Sequence, residues 1–84
     1  MLSTLHISNN QLGPDDAQTI VGLKDLETLY ISHNAIGEAG AIYFGQAIYH
    51  GQLAKLQLIN LAYNNINMDN VKALLSRSSL LLLE

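Results

Sequence analysis

Leu26-Glu27-Thr28-Leu29-Tyr30-Ile31-Ser32-His33-Asn34-Ala35-Ile36 is an apolar ladder closed by an asparagine, of the form L-x-x-L-x-I-x-x-N-x-I. The same ladder stands at Leu2, Leu5, Ile7, Asn10 and Leu12, and again at Leu56, Ile59, Leu61, Asn64 and Ile66. Its asparagines lie 24 residues apart (34 − 10) and then 30 apart (64 − 34). Self-similarity at such a period marks a repeat architecture. One unit cannot hide its apolar face alone, so neighbours stack over a shared core, and about three are needed for stability.

Each ladder predicts a short strand. In the second, Leu26, Leu29 and Ile31 point inward while Thr28, Tyr30 and Ser32 face outward, the alternation of a half-buried strand. Asn34 then turns the chain, and its amide can satisfy backbone groups that a buried turn would leave without partners. Asn10, Asn34 and Asn64 would stack as a scaffold along the repeats. A helix is predicted after each turn. Counting five from the last ladder position gives Ala17, Ala41 and Val71, and counting eight gives Ile20, Phe44 and Leu74. With Val21, Ile48 and Leu75 these form apolar stripes at helical spacing. Pro14 suits a first helical turn, Asp15 and Asp16 oppose the helix dipole favourably there, and Asp69 or Asn70 would start the third helix. The first helix must be short, because its unit is the shorter one. Gly51 supplies a stop for the second.

The whole chain, residues 1–84, is therefore one domain with repeats at about 2–25, 26–55 and 56–79. A fourth starts at 80–84, where Leu80 continues the count from Leu56 and Leu83 follows three later. No polar capping unit is evident at either end, although solenoids need capped ends for solubility. The expectation is a fragment of a longer repeat protein. Leu83-Glu84 is alternatively a cloning remnant, and the apolar ends offer a route to self-association.

The units resemble leucine-rich repeats. The second, through Asn34-Ala35-Ile36-Gly37-Glu38-Ala39-Gly40-Ala41, is similar to the ribonuclease-inhibitor class with its N-x-I-G-x-x-G-A junction. The first keeps Asn10-Gln11-Leu12-Gly13 but has Asp16 where the second has Gly40. The third departs further, with Asn67 and Asn70 at the two glycine positions. The resemblance implies an α/β solenoid, a right-handed β-α superhelix with parallel strands on the concave face and helices on the convex face. It further implies a non-enzymatic protein that binds a partner protein through the concave strands. The alternatives are a regulator of an enzyme, of GTPase-activator or nuclease-inhibitor type, and a self-assembling structural unit. The cysteine-rich character of the ribonuclease inhibitors is missing.

Strands in register would set outward residues in columns: Thr4, Thr28 and Leu58; His6, Tyr30 and Asn60; Ser8, Ser32 and Ala62; Asn9, His33 and Tyr63. Varied side chains on a fixed scaffold are how such surfaces recognise partners. The candidate contact residues are Thr28, Tyr30, His33, Leu58, Asn60, Tyr63, His6 and Asn9. The aromatic ones lead, because they bury large area with few rotatable bonds.

No catalytic, metal or cofactor site is expected. His6, His33 and His50 fall in different places, without ligand spacing. No Ser–His–Asp arrangement is defensible. Gly37, Gly40 and Gly45 are not followed by the Lys-Ser/Thr of a phosphate loop. Charged residues make up 13% of the chain, and the net charge is −3. Its four cations, Lys24, Lys55, Lys72 and Arg77, are scattered, so nucleic acid is not an expected partner. Cysteine is absent, which excludes disulfides and fits a reducing compartment. No stretch nears the about 18 apolar residues of a membrane span, and a signal peptide's basic and apolar regions are not evident at the N-terminus. The default expectation is a cytoplasmic protein, with secretion as an effector by a non-classical route as the alternative.

Overall fold

A computed structural model of the chain describes residues 2–67, 69, 72, 75 and 80–83. Its elements run β1 (Thr4–His6), α1 (Pro14–Ile20), β2 (Thr28–Tyr30), α2 (Gly37–Tyr49), β3 (Leu58–Asn60) and β4 (Leu81–Leu83). Asp69, Lys72 and Leu75 carry helical backbone. Asn70, Val71 and Leu74 of the expected third helix lie outside the described residues, as do Arg77 and Glu84. The four strands form one parallel sheet in chain order, and each strand reaches the next through the helical side of its unit. This is the expected α/β solenoid, with the sheet on the concave face and the helices on the convex face.

The register follows the sequence ladder for three strands. Leu5 pairs with Leu29 and Leu29 with Ile59, all facing inward. Leu26, Leu29, Ile31, Ile36, Leu56, Ile59 and Leu61 are buried, and Leu5, Ile7 and Leu12 pack half-buried against them. From the helices come Ala17, Ile20, Ala41, Phe44, Ala47 and Ile48, joined by Val21 at the end of α1, all buried. Both apolar stripes thus face the core. The fourth strand differs from the count. Ile59 pairs with Leu82, 23 residues on (82 − 59), so Leu81 and Leu83 face outward beside Leu58 and Asn60. Leucine occupies every position from 80 to 83. A run without alternation does not specify its own face, and a one-residue slip exchanges the two sides.

The asparagines tie the units together. Asn34 Oδ1 accepts hydrogen bonds from the backbone N–H groups of Asn10 (3.0 Å) and Leu12 (3.2 Å). Its Nδ2 donates to the carbonyls of Ile7, Ile31 and Ser32. Asn64 does the same one unit on: Oδ1 accepts from the N–H of Ile36, and Nδ2 donates to the carbonyls of Ile31, Leu61 and Ala62. Both side chains are buried, yet most of their hydrogen-bonding capacity is met.

The helix ends follow local chemistry. Pro14 opens α1, and Asp16 Oδ2 accepts from the Gly13 N–H at 2.8 Å, so this carboxylate serves the helix start. Helix α2 ends in a Schellman motif: the N–H of Gly51 (φ 84°) donates to the carbonyl of Ile48, and that of Gln52 to Ala47. Gly40 sits where α2 meets the start of α1. A Cβ there would lie 2.5 Å from Ile36 Cγ2 and 3.3 Å from Pro14 Cα, so a hydrogen side chain sets the distance between the units.

Candidate functional site

The outward residues of the strands stand in the expected columns. Thr4, Thr28, Leu58 and Leu81 pair in one row, and His6, Tyr30, Asn60 and Leu83 in another. Strands in a sheet lie about 4.8 Å apart, so rings at the same register position are brought to stacking distance. His6 stacks on Tyr30 with ring centroids 4.4 Å apart and planes 18° from parallel. Beyond the strands, Ser32 Oγ donates to Ser8 Oγ at 3.1 Å. In the last column His33 stacks on Tyr63, again at 4.4 Å, with planes 16° apart. Each stack joins a histidine of one unit to a tyrosine of the next.

The last column has a backbone cause. Asn9, His33 and Tyr63 each precede a ladder asparagine, and each adopts a left-handed conformation, with φ of 61°, 56° and 58°. Their N–H groups extend the ladder past the strands: Asn9 donates to the Ser32 carbonyl (3.0 Å) and His33 to that of Ala62 (2.9 Å). The chain then turns sharply enough for Asn34 and Asn64 to point into the core, while Asn10, in the first unit, is exposed. Asparagine and histidine are enriched in this conformation, whereas tyrosine adopts it at a cost.

Of the eight candidate residues, His6, Asn9 and His33 are exposed, and Thr28, Tyr30, Leu58 and Asn60 are half-buried. Tyr63 is 77% exposed. Asn60 Oδ1 accepts from the N–H of Ala62 and braces the turn from within. The sheet thus brings all eight onto one face. Two further residues, Leu81 (55% exposed) and Leu83, extend its columns and form an apolar corner with Leu58. The leucine run hid them, because only the observed register tells which leucines face out. The left-handed backbone at Tyr63 was also hidden, since tyrosine, unlike asparagine and histidine, is not of a type enriched there.

His50 lies apart from the sheet at the end of α2, edge-on to Tyr49 with centroids 5.3 Å apart. Among the described residues no three His, Asp or Glu side chains gather as a metal-ligand set. An open cleft of about 710 Å³ runs along the third turn, lined by Leu61, Tyr63, Asn64 and Asn67 with Glu38 at its edge. Among the described residues no helix is long and apolar enough to cross a membrane.

Fold and face together define a stacked strand–turn–helix solenoid with a side-chain-bearing concave sheet. A family model described as Leucine Rich repeat matches residues 1–21 and 22–45, more than half of the chain. The chain belongs to the leucine-rich-repeat family. It is also similar to fibromodulin from Oryctolagus cuniculus and from Sus scrofa, in each case 34% identical over 65 residues. The aligned region covers 77% of this chain and 40% of each relative, so the chain spans well under half the length of these curated relatives. No solved structure matched it.

The relatives overturn the cytoplasmic expectation: they point to an extracellular setting. The physical reason is that the absence of cysteine carried no information about compartment. This core is held by apolar stacking and buried asparagine amides, which serve equally well in oxidising and reducing surroundings.

Proposed function

We propose that the chain binds a partner protein through its concave sheet. Tyr30, His33, Asn60 and Tyr63 make the principal contacts, with His6, Asn9, Thr28 and Leu58 around them. The observation that carries this reading is the pair of His–Tyr stacks. They fix four rings in place before binding, and a pre-ordered aromatic surface loses less side-chain entropy on association. The repeat layout belongs to the same proposal: one domain, with units at about 2–25, 26–55 and 56–79 and a fourth starting at 80–84. So does assignment to the ribonuclease-inhibitor class, supported by the Ile36-Gly37-x-x-Gly40-Ala41 junction and the 13-residue helix that follows it. The scattered cations argue against nucleic acid as the partner.

The test sets one face against the other. Tyr49, on the helical side, is 82% exposed and is the competing aromatic anchor. Polypeptide ligands are selected on the chain from a displayed library. Their affinity is then measured for the Tyr30→Ala/Tyr63→Ala variant and for Tyr49→Ala, with circular dichroism to show that both are folded. The concave reading expects loss of binding in the first and unchanged affinity in the second. The opposite pattern would place recognition on the helices.

A further inference from the structure

We propose that the segment recognised is an uncharged stretch of partner polypeptide, seated on the His33–Tyr63 stack and carrying an aliphatic side chain for the Leu58–Leu81–Leu83 corner. This rests on the reading of the concave sheet as the contact face. The first observation is where the charge lies. Although the chain is net −3, none of the four columns holds a Lys, Arg, Asp or Glu. Among the described residues the helices and connecting loops carry the charges: Asp15 and Asp16 lie in α1 and Glu38 in α2. In the loops before β2 and β3, Asp25 and Lys55 neutralise each other across 3.0 Å.

A face built of hydroxyls, amides, phenols and imidazoles offers hydrogen bonds to uncharged groups and carries no carboxylate, ammonium or guanidinium to pair with a charged one. A partner carboxylate or ammonium group would be desolvated against it with hydrogen bonds but no carboxylate, ammonium or guanidinium partner to offset the cost. Thr4, Thr28, Ser8 and Ser32 with Asn9 and Asn60 supply both donors and acceptors, the complement of peptide groups. The leucine corner adjoins this polar area in the same two rows, so the fitting segment is polar at one end and aliphatic at the other.

The second observation marks the anchor. His33 and Tyr63 hold left-handed backbone, and Tyr63 does so while 77% exposed. Strain of this kind gathers at ligand contacts, where the surrounding structure enforces it. Here the interunit bond from the His33 N–H to Ala62 enforces it for His33, and the stack presents both rings together.

The experiment uses the 84-residue chain and a displayed library of short random peptides, with a glycan array in parallel. Selected peptides are expected to carry little net charge and at least one aliphatic residue. Their affinity should change by less than about twofold between about 0.1 and 1 M NaCl, although the screening length falls from about 10 to about 3 Å. It should drop about tenfold or more in Tyr63→Ala and also fall in Leu81→Asp, each variant checked for folding by circular dichroism. Peptides that are strongly acidic or basic, lose affinity with salt and still depend on Tyr63 would overturn the charge argument and leave the concave reading standing. Peptides indifferent to both Tyr30→Ala/Tyr63→Ala and Leu81→Asp would overturn both. Enrichment of no peptide, or binding to glycans alone, would overturn the assignment of a polypeptide partner.

Discussion

Tyr63 brings two opposed effects to one residue. Left-handed backbone costs an ordinary residue about 1–2 kcal/mol, and an aromatic pair returns about 0.5–1.5 kcal/mol. Tyr63→Asn removes the stack but suits the backbone, as Asn9 does at the equivalent place. Its stability in urea should therefore stay within about 1 kcal/mol of the parent. Tyr63→Val removes the stack and sets a β-branched residue at positive φ, so it should lose about 2 kcal/mol. Equal losses in the two variants would show that backbone strain is not a factor at this position. The ladder asparagines form a second contrast. Asn64→Ala removes the side-chain partner of the Ile36 N–H and of the Leu61 carbonyl, while the Ile31 and Ala62 carbonyls keep Asn34 Nδ2 and the His33 N–H. At about 1–3 kcal/mol for each buried group left without a partner, it should cost about 2 kcal/mol or more. Asn10 is exposed, and its side-chain amide donates to the carbonyls of Ile7 and Ser8. Asn10→Ala should cost under about 1 kcal/mol, because water can replace those bonds.

At the level of the element, α2 is the piece most tightly fitted to its surroundings. Phe44 is fully buried beneath the sheet, and Phe44→Ala should cost about 3–5 kcal/mol, enough to unfold a domain of this size in thermal denaturation. Gly40→Ala should cost about 1–3 kcal/mol, although alanine is the better helix former, because the added methyl meets Ile36 and Pro14. A stabilised Gly40→Ala variant would show that the close approach of the two units is not required. These elements were largely legible beforehand. The ladder gave β1 to β3 in register, and the offsets of five and eight gave the buried faces of α1 and α2, because alternation and helical periodicity are both set by burial. Leu80 to Leu83 was not legible, since four identical residues offer no alternation to read. The eight candidate face residues followed from register alone. The His33–Tyr63 stack depended in addition on the left-handed turn at both residues, which extends the interunit ladder past the strands.

Across the whole molecule, scaffold and recognition surface are separate. Apolar side chains and asparagine amides join the units from within, and the outward rows are free to vary in chemistry without disturbing that core. The uncharged concave sheet beside charged helices and loops is a property of the assembled solenoid, visible only once the rows are aligned. Its most direct test is an amide chemical-shift map of the isotopically labelled chain, recorded with and without a saturating peptide selected on it. The largest changes should cluster at residues 4–9, 28–33 and 58–63, on the concave rows. Changes concentrated instead in α1 and α2, with those three segments unmoved, would contradict the assignment of the sheet as the binding face.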